Sequence, residues 1–185
     1  MKKNEFLKLK NIKFIMLLIC IVVIYLIFKI TTSYSKPQEA ILSVEKDLTL
    51  IPAYKINDEA LFFFIKDNNN LGASFVHKGL FGWHDEMLTW SPMDQNRNYE
   101  KLTGNQGHGE NLIYGLIENI DDKIIKVNEN EASILNLAML PSNIVKKYRL
   151  EGLFIWYFKS DKVLDGGNIK LIDKSTTKVI SSLEL

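Results

Sequence analysis

The sequence predicts a mainly β protein carried on an N-terminal transmembrane helix. Three observations predict it. Fifteen apolar residues run without interruption from Phe14 to Phe28. A short helical period follows, in which Ala40, Ile41, Val44 and Leu48 recur on one face. Beyond Pro52 the chain breaks into short apolar or alternating runs divided by Asn, Asp and Gly clusters, the pattern of strands and turns. The expected architecture is a transmembrane helix, a short amphipathic helix, and then an antiparallel, β-sandwich-like extracytoplasmic domain.

The helix comes first in the chain. Phe14–Phe28 spans about 22 Å at 1.5 Å per residue, short of a hydrocarbon core of about 30 Å. Ile12 to Thr32 is long enough, because Lys13 and Lys29 can reach toward the head groups along their apolar stems. This sets out a basic tail over 1–13, a transmembrane helix over 14–30 and an outer domain over 31–185. Residues 1–29 hold six lysines and one acid, a net charge of +5, so the remainder is −4 although the whole chain is only +1. Lysines before an apolar segment keep their side cytoplasmic, which places the N-terminus inside and residue 30 onward outside. A signal peptide cut after Ser33 or Ser35 is the competing reading, since fifteen residues is also the upper length of its apolar region.

The lone cysteine, Cys20, lies inside the apolar segment. The outer domain must therefore fold without a disulfide, on a hydrophobic core that its length can supply. It also contains no Asn-x-Ser/Thr sequon. With the Lys, Asn and Ile bias, this points to the surface of a low-GC Gram-positive bacterium.

Ser35-Lys36-Pro37-Gln38 has the spacing of a capping box with proline in the first turn, and predicts a helix over about 36–48. Its acidic polar face disfavours lying on a membrane, so its apolar stripe should pack on the sheet that follows. Ala60–Ile65 and Leu71–Lys78 form a hairpin around Asp67–Asn70, with Leu71, Ala73 and Phe75 on one face. Leu112–Ile117 is a strand. Ile124–Val127 and Ala132–Ala138 pair around Asn128–Glu131. Gly152–Phe158 is the strongest late strand, Pro141–Tyr148 is a helical turn, and Asn168–Asp173 with Lys178–Leu183 close the chain as a hairpin. The doubly apolar runs 60–65, 112–117 and 152–158 should be covered on both faces. The polar stretch 91–110 is where the domain could divide, but neither half has many strands, which favours one folded unit.

The densest polar and aromatic stretch is Lys78–Glu86, followed by Trp90. Gly79 and Gly82 flank Leu80-Phe81 and predict a tight corner with Trp83 folded back on the sheet. Such a corner either presents aromatics to a partner, sugar or peptide, or simply packs them in the core. His84 and His108, with Asp85 and Glu86, form the nearest approach to an acid–base or metal-assisted hydrolase; His77 and Glu110 lie close in sequence. Their spacing fits no compact ligand motif, so no metal, cofactor or catalytic residue is assigned. Gly104–Glu110 lacks the Gly-Lys-Ser/Thr of a phosphate loop and reads as a mobile loop. Lys146-Lys147-Tyr148-Arg149 is a local basic patch suited to anionic lipid or wall polymer, or simply to solvent. Nucleic acid is excluded by an acidic domain on the outer side.

Lys78-Gly79-Leu80-Phe81-Gly82-Trp83, the Phe-rich strand before it and Ile113-Tyr114-Gly115-Leu116 after it resemble small uncharacterised membrane-anchored proteins of low-GC Gram-positive bacteria. The likeness covers about residues 37–160. It implies a surface location and a structural corner at Gly82-Trp83, and carries no catalytic residue. The expected function is binding at the cell envelope, through Trp83, His84, Trp90 and His108, with the bilayer as one partner and an envelope protein or wall polymer as another.

Overall fold

Thirty residues at the N-terminus form helix α1 (Lys2–Thr31) in a computed structural model that describes residues 2–85, 87–102, 106–109 and 111–185. Phe14–Thr31 is long and apolar enough to cross a membrane, and none of these 18 residues is buried by the rest of the chain. No glycine or proline interrupts α1, and its exit is closed locally. The hydroxyls of Thr31, Thr32 and Ser33 donate to the carbonyls of Ile27, Phe28 and Lys29 at 3.0, 2.9 and 2.8 Å. Carbonyls of the last turns, some of which have no partner further along the helix, are satisfied without water.

Helix α2 (Pro37–Val44) is shorter than its periodicity implies. Its start is shifted by one residue from the expected capping box. Glu39, rather than Gln38, reaches back to accept from Lys36 N–H at 3.3 Å and Ser35 Oγ at 2.9 Å. It ends at Val44 because Glu45 is already extended and the chain turns into a strand at Thr49, leaving Leu48 buried outside the helix.

The rest of the domain is three antiparallel sheets. The first sheet holds β1 (Thr49–Ile56), β2 (Glu59–Lys66), β3 (Asn70–Gly79) and β4 (Gly82–Asp85) in that order, with β5 (Thr89–Pro92) on the far end of β3. Pro52 sits inside β1, where sequence reading starts the strands only after it. A proline fits there because β1 is an edge strand and its register shifts between Pro52 and Tyr54. The second sheet contains β6 (Gln106–His108), β7 (Leu112–Glu118), β10 (Ser133–Asn136) and β11 (Leu153–Lys159), ordered β10-β11-β7-β6. The third contains β8 (Lys123–Val127), β9 (Asn130–Glu131), β12 (Asn168–Asp173) and β13 (Val179–Glu184), ordered β13-β12-β8-β9.

Side-chain alternation stacks these elements as layers. Ala60, Phe62 and Phe64 of β2 face α2, with Ala40, Ile41 and Trp83. Leu61, Phe63 and Ile65 face the second sheet, meeting Leu112, Tyr114, Leu116, Leu153 and Ile155. The opposite face of that second sheet offers Ile113, Ile117 and Trp156 to Ile125, Val127, Ile169 and Leu171 of the third. The three doubly apolar runs are thus each covered on both faces, as a continuous hydrophobic strand demands. The stretch after β5 is drawn into the same packing. Met93 and Tyr99 join the core between the first two sheets and Leu102 the core beyond.

One expected hairpin is redirected. On its hairpin side β8 pairs with only two residues, Asn130 and Glu131, its other edge being taken by β12. Ser133–Asn136 then leaves the third sheet and pairs with β11 of the second. The crossing keeps Ala132 in one core and carries Leu135 and Leu137 into the other. Leu137–Met139 is a 3-10 turn, and α3 (Ser142–Tyr148) follows it, closing on Arg149 at φ 56°.

The tightest fit in the stack is across β7 and β11, where Gly115 stands opposite Trp156. A Cβ on Gly115 would lie 2.8 to 2.9 Å from the indole, and Trp156 is fully buried. Gly115→Ala should therefore destabilise the domain by about 1–3 kcal/mol through overpacking. Urea unfolding followed by tryptophan fluorescence measures this; an unchanged midpoint would show that the indole can move aside.

Candidate functional site

The four sequence candidates are separated by strand alternation. Trp83 and His84 are neighbours on β4 and so point to opposite faces. Trp83 is 3% exposed, packs with α2, and has Lys55 Nζ 5.0 Å from its ring centre. His84 is exposed on the other side, beside the end of α1. Trp90 on β5 is 45% exposed, with Lys66 Nζ 4.3 Å from its ring centre; Lys66 also pairs with Glu45 at 2.6 Å. His108 is 3% exposed and shares a 2.7 Å hydrogen bond between Nδ1 and Thr89 Oγ1, with the Phe75 ring at 5.5 Å. Tyr114, also bonded to Thr89, is buried behind it; burial pushes its phenol well above the usual value against the opposing pull of that bond. Trp83 and His108 thus serve the packing of the first sheet, while His84 and Trp90 keep accessible surface. Glu86, Glu110 and the side chain of Asp85 lie outside the described residues. So do residues 104 and 105 of the expected Gly104–Glu110 loop, whose Gln106–His108 forms β6. Among the described residues, no three His, Cys, Asp or Glu side chains gather as a metal site.

A different group of residues converges. The Asn57-Asp58 turn, with Asn57 at φ 53°, returns β1 into β2 and places Glu59 at the start of the latter. Glu59 stands opposite His77 on β3. Lys159, the last residue of β11, reaches across from the second sheet. Its Nζ donates to Glu59 Oε2 at 2.6 Å and to Oε1, and lies 4.9 Å from the centre of the Phe75 ring. Tyr54 on β1 donates its hydroxyl to Glu59 Oε1 at 2.6 Å. These side chains line an open cleft of about 740 Å³, completed by Tyr157, Phe158 and the β9–β10 crossing at Glu131 and Ser133. The volume lies in the range of small-molecule sites.

The electrostatics follow from the geometry. Partial burial alone would raise the Glu59 carboxyl, but the bonds from Lys159 and Tyr54, and the charge of Lys159, outweigh it and hold it below its ordinary value. Burial, then the Glu59 bond, pushes the Tyr54 phenol far up, so it stays protonated and remains a donor. Glu59 is therefore a fixed anion with both oxygens engaged, a poor proton acceptor at neutral pH. The cleft offers an oriented ion pair, a tyrosine and aromatic walls, which is the chemistry of recognising a polar ligand.

Sequence reading passed over Tyr54, Glu59 and Lys159. The signal was present in form: Glu59 immediately precedes the apolar run 60–65, and Lys159 immediately follows the run 152–158. Nothing local, however, says that residues one hundred positions apart meet.

Glu59 has a lowered folded-state pKa, so its contribution to stability is complete above the unfolded value and is lost as the pH falls through the folded one. The pair is only partly exposed, which makes a contribution of about 1 kcal/mol reasonable at pH 7. Glu59→Gln should lower stability by that amount at neutral pH, and the difference should shrink as the pH falls below the ordinary carboxyl range and wild-type Glu59 takes up its proton. Urea titrations at several pH values check it; a pH-independent difference would contradict the assigned charge state. No family model, curated protein or solved structure matches the chain.

Proposed function

We propose that the protein is a single-pass, membrane-anchored binding protein of the bacterial envelope, with its N-terminus cytoplasmic and its β domain outside. A helix of membrane length leads directly into the β domain, with only Thr32 and Ser33 between α1 and the Tyr34 bridge to Trp83. The lysine excess before the apolar span that starts at Phe14 supports the inward N-terminus. The resemblance to membrane-anchored proteins of low-GC Gram-positive bacteria agrees with this location.

The observation that carries the binding reading is the cleft at Glu59. Its carboxylate is held ionised by Lys159 and Tyr54, which between them engage both oxygens, so it suits orientation of a ligand rather than proton transfer. The ligand that fits is a polar envelope component bearing hydroxyls or charges beside an apolar face, such as a wall fragment. His84 and Trp90 lie outside the cleft lining, although His84 stands opposite the lining residue His77 on the neighbouring strand.

Two measurements test this. Mass analysis of the native protein should return a chain that retains α1; an N-terminus at Tyr34 or Lys36 overturns the anchor and makes the domain a secreted one. Titrating the detergent-solubilised chain with muropeptides and with anionic wall polymer should shift NMR resonances of Tyr54, His77 and Tyr157, and Lys159→Ala should abolish the response. Shifts confined to Trp90 or His84, or no shift at all, would remove the cleft from the function.

A further inference from the structure

The β3–β4 hairpin has an unusual tip. Gly79 pairs with Gly82, leaving Leu80 and Phe81 as a two-residue turn. Such turns favour Asn, Asp and Gly, because the residues are solvated and often need positive φ. Here the tip holds two large apolar side chains, Leu80 at 92% and Phe81 at 40% exposure. Neither is needed for the cores of the domain, and in water both would be unfavourably placed.

The tip is also held at a defined place. Tyr34 and Trp83 exchange backbone hydrogen bonds, N–H to carbonyl in both directions, at 2.8 Å. Gly82 allows this approach: its φ is 139°, and a Cβ there would come within 2.6 Å of the Tyr34 carbonyl oxygen. The hairpin is thereby clamped to the exit of α1. Leu80, Phe81 and His84 face Tyr25, Phe28 and Lys29 across a recess of about 560 Å³. Tyr25 lies six residues before Thr31, about 9 Å down the helix at 1.5 Å per residue. The hairpin tip therefore runs beside the last turns of the apolar span, not above them.

We infer that Leu80 and Phe81 insert into the leaflet on the domain's side of the membrane, as a second contact that fixes the orientation of the β domain on the bilayer, with the recess filled by lipid. The surface is continuous with the apolar face of α1, whose exposed side chains must themselves meet lipid. Lys29 near the helix end and exposed Lys78 at the hairpin base are placed for phosphate head groups. The inference rests on the anchor reading of α1, and its test separates the two.

Full-length Cys20→Ala protein carrying Leu80→Cys is labelled with an environment-sensitive fluorophore and reconstituted in vesicles of phosphatidylglycerol and phosphatidylethanolamine. Val179→Cys, exposed on β13 of the third sheet, is the comparison. The expected result is a blue-shifted emission at position 80, with loss of signal when the lipids carry bromine near the top of the acyl chain, and neither effect at position 179. Emission at 80 matching that at 179 overturns the inference. A blue shift untouched by bromolipid, accompanied by cross-links between chains, also overturns it in favour of a second copy on the hairpin. Carbonate extraction of the same vesicles reports on α1 alone: release of the protein defeats the anchor reading, whereas retention with a water-exposed position 80 defeats only the hairpin contact.

Discussion

The antiparallel pairing of β7 with β11, buried on both faces, is the constraint on which the rest of the domain depends. Each strand offers one row of side chains to the first sheet and the other row to the third. Seven register pairs hold the two strands together, from Leu153↔Glu118 to Lys159↔Leu112. Because the interior has no disulfide to tie it, cohesion comes from apolar burial and from backbone bonds satisfied within sheets. The Gly115–Trp156 opposition shows how closely this layer is filled. The glycine is there to make room for an indole, and the indole bridges to the third sheet.

That layer also sets the cleft. Lys159 ends β11 in the second sheet, and Glu59 begins β2 in the first. The ion pair is therefore a tie between two layers as well as a feature of the recess. Tyr54 and Phe75 restrict its geometry, one through a hydrogen bond to the carboxylate and the other through its ring beneath the ammonium. A partly buried pair of this kind adds little net stability, since desolvation offsets much of the attraction. Its larger effect is to keep a carboxylate charged and oriented at the mouth of an aromatic pocket.

The membrane end of the molecule follows a different logic. The short connection from α1 to Tyr34, and the bonds between Tyr34 and Trp83, leave little slack between helix and sheet. A burial that sequence inspection treats as a matter of one aromatic corner turns out to combine two tasks on alternate residues. Trp83 turns inward to α2 and locks the corner, while the turn before it carries Leu80 and Phe81 outward.

Much of this was legible in the sequence, for reasons of periodicity and composition. The uninterrupted apolar run before Lys29 determined a helix of membrane length, and the runs at 60–65, 112–117 and 152–158 determined strands covered on two faces, because no other arrangement hides both rows of side chains. The Asp67–Asn70 turn was marked by residues that tolerate positive φ, and Asp67 and Asn68 adopt it. What tertiary structure alone decided was pairing. The departure of Ser133–Asn136 from its local hairpin is settled by the core space open to Leu135 and Leu137. The cleft is settled by the meeting of Glu59 and Lys159 from different sheets, and the separation of Trp83 from His84 by which face of β4 each occupies. Local pattern says that a residue is buried or exposed. It does not say against what, because strand order and sheet stacking are chosen by the whole set of apolar faces at once.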